Sequence, residues 1–415
     1  MSGTKISKGH RDYMLMYHML TGIRMAVDQV SSLPDRALQP SDFSSIHHLT
    51  LTIQKDHPLD KGDRWTPGRK HEFKDYAPWV FRSIRQKSLI KTSDYLFSLT
   101  SKYILSELHT PGKSHQFLYY SRDYRYIIKT IQRSEYQYMR TMLQRYYEYI
   151  SSHPNSLLCR YYGLHRIKSA FTGQKLYFVV MENVLPPNKD MHEIYDLKGS
   201  TQGRYLSEKE RKSKKHTVLK DLNWLQQPER LCLGPTKWAA FKSQLEKDVQ
   251  FLISIQVMDY SLMIGIHHLE RGNRDNIRNS VLHQYQARQK MKGKDEQCIM
   301  TVPLLQTLDT SQLNKTSRCR MVTSNVFYGD KGGFRATDDQ DQPMNRIYYF
   351  GIIDILTQYN LTKKAEHVFK SLMLMTTGHQ HISAIAPSKY GQRFLNFIIN
   401  PKNNSSIQNT KNDDG

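Results

Sequence analysis

Asp354 lies inside the apolar run YYFGIIDIL, where an ionised carboxylate must find a partner. Desolvating it alone would cost several kcal/mol. A divalent metal at the end of a buried strand is one such partner, and a turn capped by the carboxylate is the structural alternative. Lys129 poses the same problem with opposite sign, in the apolar strand YIIKTI. ATP phosphates would meet its charge, and Glu135, near the start of the helix that follows, would hold the amine between turnovers. A snorkelling strand lysine is the bland reading. Before that strand, TPGKSHQF offers Gly112 alone where phosphate-covering loops carry two or three glycines.

Two further clusters bring chemistry together. YDLKGST, residues 195–201, gathers Asp, Lys, Gly, Ser and Thr, so Lys198 and the nearby backbone amides are candidates to bind phosphate. MDYSLMIGIH, residues 258–267, sets Asp259 between a helix and a strand, where it suits a general base or a metal ligand. A cap or turn explains either cluster taken alone. Beyond Asp354, Lys363, Lys364, Glu366, His367 and Lys370 stand among Val368, Phe369 and Leu372. A solvated basic face is the plain reading of that run.

The elements that must position these residues follow from hydrophobic period. Met16, Met19, Leu20, Ile23 and Val27 recur at helical spacing over 13–27. LTLTIQ, 49–54, alternates as a strand, and YAPWVFRSIR reads as a helix entered through Pro78. Runs 117–121 and 124–131, joined by Arg122 and Asp123, predict a hairpin, after which Ser134 and Gln137 form a capping box for a helix. LYFVVME, 176–182, is a buried strand that Pro186 and Pro187 end. A boundary is therefore expected between 1–185 and 186–400. In the second part a helix runs from Pro235 to near Met258, a polar stretch of about 270–342 reads as a mobile insertion, and 390–399 forms an amphipathic helix. Residues 401–415 read as a disordered tail.

The chain has 415 residues, 38% hydrophobic and 11% aromatic with 26 Tyr, enough for substantial packed cores. Its +22 charge, from 60 Lys and Arg against 38 Asp and Glu, calls for an anionic partner. No nucleic-acid-binding motif accompanies the charge, so nucleic acid is not expected as that partner. The four cysteines show no CxxC spacing, which suggests neither zinc nor disulfides. No run approaches the ~20 apolar residues of a membrane span, so membrane contact is expected to be peripheral.

Taken in chain order, IIK at 127–129, DLKGS at 196–200, MDYSL at 258–262, IID at 352–354 and KKAEH at 363–367 resemble the phosphatidylinositol phosphate kinase family. The resemblance spans about residues 9–400, includes GHRDYMLMYHMLTGIRMAV, FKDYAPWVFR and YGQRFLNFI, and is closest in flavour to fungal members. It implies an α+β, two-lobed lipid kinase, with an N-terminal antiparallel sheet plus helices, a dimerisation-type helix and a nucleotide-binding hairpin, and a C-terminal catalytic lobe. It further implies ATP and Mg²⁺ as cofactors, with Gly112, Lys129 and Glu135 at the nucleotide. Asp354 would hold Mg²⁺, Asp259 would face the lipid hydroxyl, and Lys198 would lie near the transferred phosphate. Arg204 would grip the substrate phosphate, as would Lys363 and Lys364 on a membrane-facing specificity loop of about 358–387. Glu366, where type II members have alanine, implies phosphatidylinositol 4-phosphate as substrate and the 5-hydroxyl as acceptor. A phosphatidylinositol 5-phosphate 4-kinase, or a catalytically weak membrane scaffold of the same fold, is the alternative. The family also implies a homodimer, cytoplasmic and peripheral on the inner face of the plasma membrane, with a nuclear pool.

Overall fold

The computed structural model describes residues 4–6, 10, 12–52, 70–101, 105–107, 117–169, 173–213, 217–227, 231–273, 332–359 and 386–399. It is an α+β chain dividing into two compact units. One holds Met1–Ser151 and Cys159–Lys189; the other holds Ser152–Leu158, Asp190–Arg274 and the described residues beyond 331. The division thus falls four residues after the expected boundary, and a short piece before Cys159 joins the second unit. Hydrogen bonds explain that piece: Leu157 N–H donates to the buried carboxylate of Asp248 at 2.7 Å, and Leu157 C=O accepts from Ile352 N–H at 2.7 Å.

In the first unit the helices are α1 (Tyr13–Ser31), α2 (Pro78–Lys87), α3 (Thr92–Thr100) and α4 (Arg133–Ser152). The strands are β1 (Thr4–Ile6), β2 (Ile46–Thr52), β3 (Lys70–Tyr76), β4 (Leu105–Glu107), β5 (Leu118–Tyr120), β6 (Tyr126–Ile131), β7 (Tyr161–Lys168) and β8 (Lys175–Glu182). Among the described residues they form one antiparallel sheet in the order β1-β4-β5-β6-β8-β7-β3-β2. The α1 stripe of Met16, Met19, Leu20, Ile23 and Val27 is buried as its spacing predicts. The strand expected over 49–54 instead begins at Ile46 and pairs along its length with β3.

Neither β3 nor β7 stands out in the sequence, because their buried faces carry polar groups. His71 and Asp75 are buried on β3, and His165 is buried opposite Asp75 on β7. His165 Nδ1 lies 3.0 Å from Asp75 Oδ1, so two polar side chains face each other within the core where alternation would assign them to solvent.

The hairpin of β5 and β6 forms where expected. Asp123 in its turn is buried and accepts hydrogen bonds from Ser98 Oγ, from Ser121 Oγ at 2.9 Å and from Arg125 Nε at 2.5 Å. On β6, Lys129 stands opposite Leu118 of β5 and Val179 of β8, between buried Ile128 and Thr130. The cap of α4 differs from expectation. Glu135 Oε2 accepts the N–H of Gln132 at 2.6 Å, so glutamate, not the Ser134 and Gln137 pair, closes the first turn.

In the second unit β9 (Glu193–Leu197), β10 (Val218–Leu219), β11 (Ser261–His268), β12 (Phe334–Thr337) and β13 (Pro343–Ile353) form a sheet in the order β10-β9-β11-β13-β12. All its pairings are antiparallel except that of β10 with β9. The helices are α5 (Glu208–Ser213), α6 (Asp221–Leu225), α7 (Pro235–Ser254) and α8 (Pro387–Ile399). On α7 Phe241, Leu245, Val249 and Leu252 face the core. This helix stops four residues short of Met258, because Gln256 turns left-handed (φ 59°) and Val257 bridges to Gln358. The stretch of about 270–342, read as a mobile insertion, contains β12, which pairs with β13; residues 274–331 of it lie outside the described residues.

Close approach of α1 to the sheet depends on Gly22. A Cβ there would lie 2.2 Å from the ring of Phe73 on β3. Gly22→Ala is therefore expected to destabilise the first unit by about 1–3 kcal/mol through overpacking, despite alanine's better helix propensity. Chemical denaturation of the two proteins measures the difference, and a stabilised variant would show that the helix can move away from Phe73.

Candidate active site

Three chain segments meet at one end of the second unit's sheet, and register sets their meeting. Leu197, the last residue of β9, pairs with Leu262 of β11, and Ser261 at the start of β11 pairs with Ile353 at the end of β13. The residues just outside these pairs are Lys198, then Asp259 two places before Ser261, and Asp354. All three of the expected catalytic residues thus leave adjacent strands at the same end.

Lys198 and Asp259 touch. Lys198 Nζ donates to Asp259 Oδ1 at 2.7 Å and to the Asp259 carbonyl at 2.8 Å. The lysine side chain is 20% exposed and the aspartate 47%, so the carboxylate keeps a face toward solvent. Both aspartates adopt the left-handed conformation, Asp259 at φ 65° and Asp354 at φ 64°. Aspartate tolerates that region better than most residues, yet holding it there requires surrounding support. For Asp259 the support comes from both sides. Met258 N–H donates to Thr357 C=O at 3.0 Å, and the buried Tyr390 hydroxyl of α8 donates to Tyr260 C=O at 2.5 Å. Burial pushes the Tyr390 phenol well above its ordinary pKa, with Asp259 adding in the same direction, so it remains a donor.

The amides after β9 have a different occupant from the one expected. Asp221, at the start of α6 and with no exposed surface, receives the N–H groups of Lys198 at 2.9 Å, Gly199 at 2.7 Å and Ser200 at 3.2 Å on one oxygen. These amides hold a carboxylate of the protein and are not offered to a phosphate. Gly199 makes the turn at φ 66°, where a Cβ would also crowd Arg393 C=O and Phe394 Cα of α8, each at 3.1 Å.

Arg204, expected at the substrate phosphate, bonds within its own unit. Its Nε donates to Asp221 Oδ2 at 2.6 Å, while its Nη2 donates to the Asp196 carbonyl and lies 3.3 Å from Asp196 Oδ2. Burial would lower its pKa, but Asp196 and Asp221 outweigh that and raise it. Glu135, expected to steady Lys129, spends its carboxylate on the α4 cap. Gly112, Lys363, Lys364 and Glu366 lie outside the described residues, as does 360–385 of the expected specificity loop. The sequence reading missed Asp221 altogether. Its sole signal was an Asp in VLKDLNW, placed to open a short helix.

Residues 99–400 match the family model described as Phosphatidylinositol-4-phosphate 5-Kinase. The chain belongs to this family. Among its relatives, phosphatidylinositol 4-phosphate 5-kinase its3 of Schizosaccharomyces pombe is 43% identical over 412 residues, covering 95% of this chain and 54% of the relative. Phosphatidylinositol 4-phosphate 5-kinase 3 of Arabidopsis thaliana is 35% identical over 402 residues, covering 95% of this chain and 54% of the relative. The fungal protein is the more similar of the two. The chain spans about half the length of these curated relatives.

The inward bonding of Arg204 has a measurable consequence. Arg204→Leu would leave Asp221 buried beside no cation, a loss expected to cost about 3–5 kcal/mol of stability. Thermal or urea unfolding reads this. An unchanged midpoint with a raised KM for lipid would return Arg204 to the substrate.

Proposed function

We propose that this phosphatidylinositol phosphate kinase family chain transfers the γ-phosphoryl group of ATP to the 5-hydroxyl of phosphatidylinositol 4-phosphate at an anionic membrane surface. The observation that carries the reading is the delivery of Lys198, Asp259 and Asp354 to one end of the β9-β11-β13 ladder, in a chain of this family. Names of the relatives support the 5-position.

In this reading Asp259 accepts the proton of the attacking hydroxyl on its solvent-facing carboxylate. Lys198 has three ammonium hydrogens, and Asp259 takes two of them. The third can be directed at an oxygen of the transferred phosphoryl group, so the lysine neutralises charge there and orients the base at once. Lys129 of the first unit is assigned to the ATP phosphates. Asp354 is the assigned metal ligand: a hard oxygen donor just beyond a strand end is the donor type that Mg²⁺ takes singly or in pairs alongside phosphates. Asp354 would hold the metal, whose charge would neutralise the phosphates.

Among the described residues no helix is long and apolar enough to cross a membrane. The +22 excess, with Lys363 and Lys364 included, supplies attraction to anionic lipid. Family likeness alone extends the proposal to a homodimer that works at the inner face of the plasma membrane, with a nuclear pool.

The test is incubation of the purified chain with ATP, Mg²⁺ and vesicles bearing phosphatidylinositol 4-phosphate or the 5-phosphate isomer, followed by product identification. The bisphosphate should form from the 4-phosphate, and no product from either isomer would overturn the reading. Asp354→Asn and Lys129→Met should each abolish transfer while leaving the unfolding midpoint near that of the parent; a turnover close to normal in Asp354→Asn removes it from the metal. Glu366→Ala should shift preference toward the 5-phosphate isomer. An unchanged ratio of rates on the two isomers would separate Glu366 from selectivity.

A further inference from the structure

We infer that Asp221 is a positioning residue for Lys198, acting through the backbone of the turn that carries it; this rests on the lipid kinase reading above. Four donors converge on one carboxylate that has no contact with solvent: the N–H groups of Lys198, Gly199 and Ser200 on Oδ1, and Arg204 Nε on Oδ2. Three consecutive amides fixed on a single oxygen define the path of the chain over the residue that presents its ammonium to Asp259. The carboxylate is itself held. Asp221 opens α6, and two places on, the buried Asn223 accepts from Lys220 N–H at 3.2 Å and Leu206 N–H at 3.0 Å, and donates to Leu206 C=O at 2.9 Å. Trp224 of the same turn packs edge-on against Tyr195 of β9, with ring centroids 4.8 Å apart. The short α6 is therefore fastened to β9 and to its exit loop, and Asp221 is the side chain that faces Lys198's own peptide.

The chemistry of the site makes this more than a stabilising contact. An acceptor on Asp221 sets where the Lys198 Cα sits, and Lys198 Nζ bridges the proposed base and the transferred phosphoryl. Arg204 links the same carboxylate to Asp196, two residues before Lys198, so both ends of the Asp196-Leu197-Lys198 segment are referred to one anionic centre. Asparagine cannot replace it. If the amide oxygen takes the three N–H groups, its NH₂ faces the Arg204 Nε–H, donor against donor; if the amide flips, the Lys198, Gly199 and Ser200 N–H groups lose their acceptor.

The experiment compares lipid phosphorylation by the full chain, Asp221→Asn, Lys198→Ala and the double variant, each measured well below its unfolding midpoint. Asp221→Asn should lower kcat by about a hundredfold while the KM for ATP stays within about twofold. In the Lys198→Ala background the same substitution should have almost no further effect on kcat, because its target is gone. A merely structural role would instead give equal losses in both backgrounds, or a raised KM, and would overturn the inference. Should Asp221→Asn fail to fold, Arg204→Lys serves. It keeps a cation near Asp221 but loses the planar fork whose Nε and Nη2 reach Asp221 and the Asp196 carbonyl from separate atoms, and it should show a smaller kcat loss with the same unchanged KM and the same dependence on Lys198. Full kcat in Asp221→Asn or in folded Arg204→Lys, beside an active parent chain, sinks the assignment of Asp221 alone; an inactive parent sinks the kinase reading on which it stands.

Discussion

A carboxylate with no exposed surface must collect its hydrogen bonds from the protein or go without its charge. Asp221 collects four, three of them from consecutive amides after β9. Because the donors are backbone groups, the carboxylate specifies the course of the chain and not merely the neighbour it pairs with. The turn it enforces needs the left-handed Gly199, and that glycine in turn lets α8 come within 3.1 Å of where a Cβ would be.

The second constraint is register. An antiparallel ladder fixes which residues leave it together, and a slip of one residue would turn each side chain to the other face. Here β9 ends, β11 begins and β13 ends at one level, so residues distant in sequence emerge side by side. Beyond the ladder, Asp259 and Asp354 are both left-handed, a conformation that a loop without support would relax. Support arrives from segments that flank the site in sequence: 357–359 bonds back to 256–258, and Tyr390 of α8 holds the carbonyl next to Asp259. Stability and chemistry share the same hydrogen bonds there.

In the first unit the core itself is partly polar. His165 and Asp75 meet across β3 and β7, Asp123 gathers three side-chain donors in a hairpin turn, and Arg82 reaches from α2 to the carbonyls of Val30 and Leu33 at the end of α1. Such groups cost more to strand than apolar ones cost to misplace, so each ties one packing arrangement to one pattern of partners. Glu135 follows a more local rule. A glutamate in the first turn of α4 is already favoured by the helix N-terminus, and capping Gln132 N–H uses it locally.

Hydrophobic period and a handful of motifs were enough, in the sequence alone, to determine the α+β class, the α1 and α7 stripes, the β5-β6 hairpin and the family, because all of these are written in residues close together in the chain. Lys198, Asp259 and Asp354 stand out in the sequence as well, each being a charge set in an apolar or glycine-bearing context that packing would not choose, and the register brings all three to one end of the sheet. Tertiary structure decided the remainder. Strands β3 and β7 were hidden because buried His71, Asp75 and His165 disguise their alternation until the partner strand is in place. Nothing in DLKGSTQGR reveals that Asp221, seventeen residues on, takes the Nε of Arg204. Asp221 itself was silent for the same reason: a buried carboxylate is defined by its donors, and the peptides that donate to it are present at any position in any sequence. What fixes them on that one oxygen is the fold, through the path of the backbone from β9 to α6.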